Sequence, residues 1–143
     1  MKASKSSVWD LFNGAKQYVV PLFQRPYVWG RPQWEQLWSD ITEQYTIQAD
    51  NPRGKITGRF LGSIVVVREY EKNLDKYTII DGQQRITTIS IILAVIRAFA
   101  KERGVTELYG LISDFLKNSA RSGEGLYVVI PTRVDKSSLY HIF

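Results

Sequence analysis

Apolar residues recur at steps of three and four along two long stretches of the chain. Ile86, Ile89, Ile92, Leu93, Ile96 and Phe99 fall on one broad side, with Arg97 and Lys101 opposite. This pattern predicts an amphipathic helix that stops at Arg103-Gly104 and spans roughly 30 Å at the usual helical rise. Trp34, Leu37, Trp38, Ile41 and Tyr45 predict a second helix over residues 32 to 47, with Pro32 suited to the first helical position. The Trp34–Trp38 pair is expected in the core, and Glu35, Asp40 and Glu43 form the solvated face. Shorter patterns predict three more helices. One runs through Val8, Trp9, Leu11 and Phe12 after a capping Ser6 or Ser7 and closes at Asn13-Gly14. Another runs from Thr106 to near Asn118, and a last one is capped by Asp135 or Ser137.

Between these lie stretches of strand character. Gln17 to Pro21 predicts a short strand that Pro21 ends or confines to a sheet edge. Phe60 to Val67 is almost unbroken in its apolar character, which predicts a strand buried on both faces at the sheet centre. Lys76 to Ile80 reads as its antiparallel partner across the charged connection Glu69 to Asp75, and Leu126 to Pro131 as a further strand. The expected class is α+β, a small mixed sheet with flanking helices.

Two segments break the pattern with unusual polar density. Ile79-Ile80-Asp81-Gly82-Gln83-Gln84-Arg85-Ile86-Thr87-Thr88 reads as strand, tight turn and helix start, with Gly82 supplying the turn and Asp81 and Gln84 spaced as a capping box. A helix start carries unpaired N–H groups and the positive end of the macrodipole, so this junction is suited to an anion, with Arg85 close by. A capping Asp needs no function, but two adjacent Gln are more than a solvent turn requires. The second segment, Leu22 to Gly30, is a loop stiffened by Pro21 and Pro26. Phe23 and Trp29 are expected as core plugs, whereas Gln24, Arg25 and Tyr27 suit phosphate contacts or stacking on a base.

Composition narrows the chemistry. The 143 residues fit one domain by the length prior, and a net charge of +5 favours an anionic partner. There is no cysteine and one histidine, His141, which excludes thiolate chemistry and paired-histidine zinc sites within this chain and agrees with a reducing, cytoplasmic setting. No apolar segment is long enough to span a bilayer, and no signal peptide is evident. The basic loop Ala49 to Gly58, with Arg53, Lys55 and nearby Arg59, is the expected contact for a DNA backbone. Because the last helix has barely begun at Phe143, a truncated C-terminus is expected, and exposed apolar surface there would favour a homodimer.

Val20-Pro21-Leu22-Phe23-Gln24-Arg25-Pro26-Tyr27-Val28-Trp29, Phe60-Leu61-Gly62-Ser63-Ile64 and Ile80 to Thr88 together resemble the N-terminal domain family of GmrSD-type restriction systems, also called domain of unknown function 262. Val129-Ile130-Pro131-Thr132 with Asp135 extends the resemblance over nearly the whole chain. It implies a ParB/sulfiredoxin-like fold over residues 1 to 143, in which a G-x-x-R turn, here Gly82-Gln83-Gln84-Arg85, cradles nucleotide phosphates. It also implies nucleoside triphosphate binding and hydrolysis regulating cleavage of modified foreign DNA, with the nuclease in a separate C-terminal domain or subunit that this chain lacks.

On that reading the helix amides and Arg85 hold the phosphates, Gly82, Gln24 and Arg25 assist, Thr87 and Thr88 either donate to phosphate or bond back along the helix, and Tyr27 stacks on the base. Gln83 or Gln84 orients the attacking water. Asp81 either caps the helix or holds Mg²⁺ brought with the triphosphate. No Walker-type lysine motif occurs, so a P-loop enzyme is excluded, and the Cys of a sulfiredoxin turn is replaced by Gln. The competing reading is a module that binds modified DNA through residues 53 to 59 and the aromatic loop, without hydrolysis.

Overall fold

The computed structural model describes residues 4–55, 58–71 and 74–143. In chain order its elements are α1 (Val8–Phe12), β1 (Lys16–Val19), α2 (Arg31–Asp50), β2 (Val65–Glu71), β3 (Leu74–Asp81), α3 (Gln83–Glu102), α4 (Thr106–Leu116), a 3-10 turn (Gly123–Leu126), β4 (Val129–Ile130) and α5 (Lys136–Ile142). They group into two compact units, one of residues up to 27 together with 64–143, the other of residues 28–63.

The first unit is α+β, with a mixed sheet in the order β2-β3-β1-β4. β1 runs parallel to β3 and to β4, and β2 pairs antiparallel with β3. β1 is therefore an inner strand, and Pro21 ends it without placing it at an edge. Val20 N still donates to Ile130 O at 2.9 Å before the chain turns away. The side chains that close the core are Phe12, Ile79, Ile86, Val128 and Val129, all essentially without solvent contact. α3 and α4 form a helical hairpin across Gly104, whose φ of 68° lets the backbone reverse. Ala94, Ile112, Leu116, Leu139 and Phe143 make a second apolar cluster between α3, α4 and α5.

Gln17 shows how an inner strand tolerates a polar residue. Its side chain is buried, and its Nε2 donates to Glu124 O at 3.0 Å and Tyr127 O at 3.1 Å, tying β1 to the segment before β4. α1 begins as the serine pattern indicates. Ser7 and Asp10 form a reciprocal capping box, and Asn13 follows the helix as its C-cap.

Three expectations are corrected. The apolar run from Phe60 does not form a central strand. β2 begins only at Val65 and lies at the sheet edge, Phe60 and Val67 are exposed, and Gly62 at φ 110° takes the backbone out of extended L-residue geometry just before the strand. Much of the charged connection after it is strand as well, since Glu69 to Glu71 pair with Leu74 to Lys76; its residues 72 and 73 lie outside the described set. Phe23 is not a core plug, being 81% exposed.

The second unit consists of α2 and the segment that follows it. Of the expected apolar stripe only Leu37 is buried, while Trp34 and Trp38 are exposed, which corrects the expectation that this pair is core. Periodicity marks a face, but burial needs an opposing element, and among the described residues this unit holds no second helix or strand for α2 to pack on.

Candidate functional site at the amino end of the long helix

β3 hands over to α3 through Gly82, which has φ 91° and ψ 10°, is buried, and is the N-cap of the helix. Left-handed geometry at this position is the reason for glycine, since an L side chain there is strained. The Asp81–Gln84 capping box is not formed: Asp81 is the exposed last residue of β3, and the N-cap carries no side-chain cap. The turn thus presents the positive end of a 20-residue helix with no carboxylate on its cap.

Gln83, Gln84, Thr87 and Thr88 are all buried, although they stand in the first turns of a helix beside a loop. Their partners explain this. Gln83 Nε2 donates to Arg25 O at 2.9 Å, and Gln84 Nε2 donates to Pro26 O at 3.1 Å. Thr88 Oγ1 donates back to Gln84 O at 2.8 Å and lies 2.7 Å from the Tyr27 hydroxyl. With its one proton committed to the helix, Thr88 acts as the acceptor for Tyr27. Gln24 Nε2 completes the attachment by donating to Ile80 O at 3.0 Å.

Sequence reasoning singled out the aromatic loop and the turn separately, and the structure brings Gln24, Arg25, Tyr27, Gly82, Gln83, Gln84, Arg85, Thr87 and Thr88 to one end of α3. A third segment joins them. Asp135 Oδ2 accepts from Tyr27 N at 2.9 Å and from Thr132 Oγ1 at 2.6 Å. Asp135 does stand at the N-cap of α5, but its side chain makes no cap bond there because it is turned to the loop. The signal was present in the Thr132-x-x-Asp135 spacing after a buried strand, yet a helix cap explained that spacing equally well.

Val20, Arg25, Tyr27, Gln83, Thr87 and Thr132 are among the residues around a cleft of about 10 Å³ where these three segments meet. Gln83 Oε1 is buried and has no hydrogen-bond partner among the described residues. A polar void of this size holds about one water molecule. The Arg25 side chain is exposed and makes no ion pair among the described residues, and Arg85, the third residue of α3, is half-buried.

The expected DNA contacts lie in the other unit. Arg53 and Lys55 are exposed. Arg59 instead pairs with Asp40 at 2.9 Å and Glu43 at 2.7 Å, holding the returning chain to α2 and committing its charge within the protein. A cavity of about 260 Å³ in this unit has Ile41, Ile47 and Leu61 among its walls. No cluster of three or more metal-ligating side chains occurs among the described residues.

An α+β domain with a G-x-x-R turn closed by an aromatic loop is the arrangement that family membership can test. Residues 8–141 match the GmrSD restriction endonuclease N-terminal domain, and the chain belongs to that family. It is therefore a restriction-system domain, and this membership supports a role in phage defence. No curated protein matches the chain. Among the described residues no helix is long and apolar enough to cross a membrane.

Proposed function

We propose that this chain is the nucleoside-triphosphate-binding and hydrolysing regulatory domain of a modification-dependent restriction protein, acting with a C-terminal nuclease domain or subunit on foreign DNA. The observation that carries the reading is the amino end of α3, which has no side-chain cap, holds Arg85 in its first turn and has the Arg25-bearing segment tethered beside it. A helix N-terminus contributes roughly half a positive charge and two guanidinium groups add two more, against two carboxylates, Asp81 at the strand end and Asp135, which is engaged by Tyr27 N and Thr132. The small positive balance that remains suits a polyphosphate accompanied by a cation.

Asp81 fits a metal-bridging part better than a capping one. Its carboxylate is exposed at the strand end and makes no cap. Mg²⁺ commonly uses one or two carboxylates together with substrate phosphates, which suits Asp81, the acid here that is not engaged by the loop. Asp81 would hold such an ion, and the ion would supply charge neutralisation for the phosphates. Of the two glutamines, Gln83 is the one whose Oε1 remains open to accept from a water, while Tyr27 is pinned through its hydroxyl.

Calorimetric titration of the wild-type chain with each nucleoside triphosphate, with and without Mg²⁺, tests the proposal. Binding, followed by phosphate release that Arg85→Ala abolishes while circular dichroism retains the fold, is the expected result; no heat with any triphosphate overturns it. The competing reading, modified-DNA binding without hydrolysis, draws on Arg53 and Lys55, both exposed in the second unit. Tight binding to modified DNA with no triphosphate turnover in its presence would favour that reading.

A further inference from the structure

Every residue from Gln24 to Tyr27 is held down by a hydrogen bond to β3, α3 or the segment leading into α5. Gln24 reaches Ile80 O, the Arg25 and Pro26 carbonyls receive Gln83 and Gln84, and Tyr27 is fixed through both its N–H and its hydroxyl. The segment's own main chain takes part at Arg25, Pro26 and Tyr27, while Gln24 and the Tyr27 hydroxyl add side-chain bonds, so the strip is fastened by hydrogen bonds along its whole length. The two residues just before it, Leu22 and Phe23, are 84% and 81% exposed and add nothing to the closure.

The same side chains that fasten the strip occupy the mouth of α3. Under it remains a cleft of about 10 Å³, against the roughly 300 Å³ or more of ordinary small-molecule sites. Phosphates cannot pass beside Gln83 and Thr87 while the strip is down. Gln83 is 7% exposed, and its buried Oε1 has no donor among the described residues, so the closed arrangement leaves this polar group unserved.

We infer that residues 24–27 are a strap over the phosphate site, and that strap closure and triphosphate binding exclude each other. The inference rests on the proposed function and adds its regulation: a bound triphosphate lifts the strap, and the segment carrying Leu22 and Phe23 is released with it. Arg25 travels on the strap, so its guanidinium follows the phosphates. A ligand that binds only the open state has its apparent affinity reduced by the open fraction, and weakening the closure removes that penalty.

The Tyr27 amide reports closure directly, because its acceptor is Asp135 Oδ2 at 2.9 Å. Hydrogen exchange of wild-type protein is followed by NMR with ATP, GTP, UTP and CTP in turn, each with Mg²⁺, while calorimetry records which of them binds. A bound triphosphate should speed exchange at Tyr27 about tenfold or more. Binding with Tyr27 exchange unchanged or slowed overturns the strap and leaves the proposed function standing; no binding by any triphosphate overturns both. Asp135→Ala provides a second arm, since it removes the Tyr27 acceptor without removing a helix cap. The folded variant should bind the triphosphate about threefold tighter or more, and an unchanged or weaker Kd overturns the inference. Should that variant not fold, wild-type exchange decides alone.

Discussion

Gln84 Nε2 donates to the Pro26 carbonyl at 3.1 Å, which turns the second residue of α3 inward onto a loop 58 positions earlier in the chain. Proline has no N–H to offer a ladder, so its carbonyl is the one main-chain group through which this point of the loop can be fastened. A side-chain amide long enough to reach it from a helix start satisfies both groups at once.

Gln84→Ala should therefore destabilise the domain by about 1–3 kcal/mol, the range for leaving a buried polar group without its partner. Gln36→Ala, which removes an exposed bond to Asp40 on α2, should stay within about 0.5 kcal/mol. Urea denaturation of the two variants, compared at equal m, checks the contrast.

Glycine substitutions should split by sign. Gly82→Ala places an L residue at φ 91° and should cost about 1–2 kcal/mol. Gly110→Ala lies within α4, where an added Cβ meets nothing within 4 Å, and should stabilise by about 0.5–1 kcal/mol. Thermal and chemical unfolding would read both, and a stabilised Gly82→Ala would contradict the left-handed turn.

Two tyrosines set the alkaline limit. Burial pushes the Tyr18 phenol up, helped by Tyr77 and Asp75; burial likewise pushes Tyr140 up to about 12, with Glu124 and Tyr127 adding to the shift. A raised folded value means that the folded state prefers the protonated phenol. Its contribution is complete below the ordinary value of 10.0 and is lost as pH rises through about 12. Unfolding midpoints measured from pH 9 to 12 should fall above pH 10, and Tyr140→Phe should flatten part of that fall.

The same pair separates at neutral pH. The Tyr18 hydroxyl donates to Leu11 O at 2.8 Å, so Tyr18→Phe should lose about 1 kcal/mol. The Tyr140 hydroxyl is buried with no partner among the described residues, so Tyr140→Phe should be neutral or more stable by up to about 1 kcal/mol. Denaturant midpoints at pH 7 are the measurement.

Phe23→Ser should leave stability within about 0.5 kcal/mol of wild type, because the ring is 81% exposed. A loss above about 2 kcal/mol in the unfolding free energy would show that the ring is covered in solution.

Periodicity and turn chemistry determined what could be read along the chain. The stripe of Ile86 to Ile96, the stop at Gly104, the Ser7 cap and the glycine turn at residue 82 follow from residues a few positions apart, and each stands in the structure as the pattern indicates, whereas Phe99, expected on the same face, is exposed. So does the α+β class, and the GmrSD resemblance is met by the family match. Burial was decided elsewhere. Trp34, Trp38, Phe23 and Phe60 have core character but are exposed, while Gln83, Gln84 and Thr88 have solvent character and are buried because the loop of residues 24–27 lies on them. Local propensity depends on neighbours in sequence, whereas burial depends on which distant segment arrives. That is why the two halves of the candidate site were visible in the amino-acid order and their closure upon each other, through Asp135, was not.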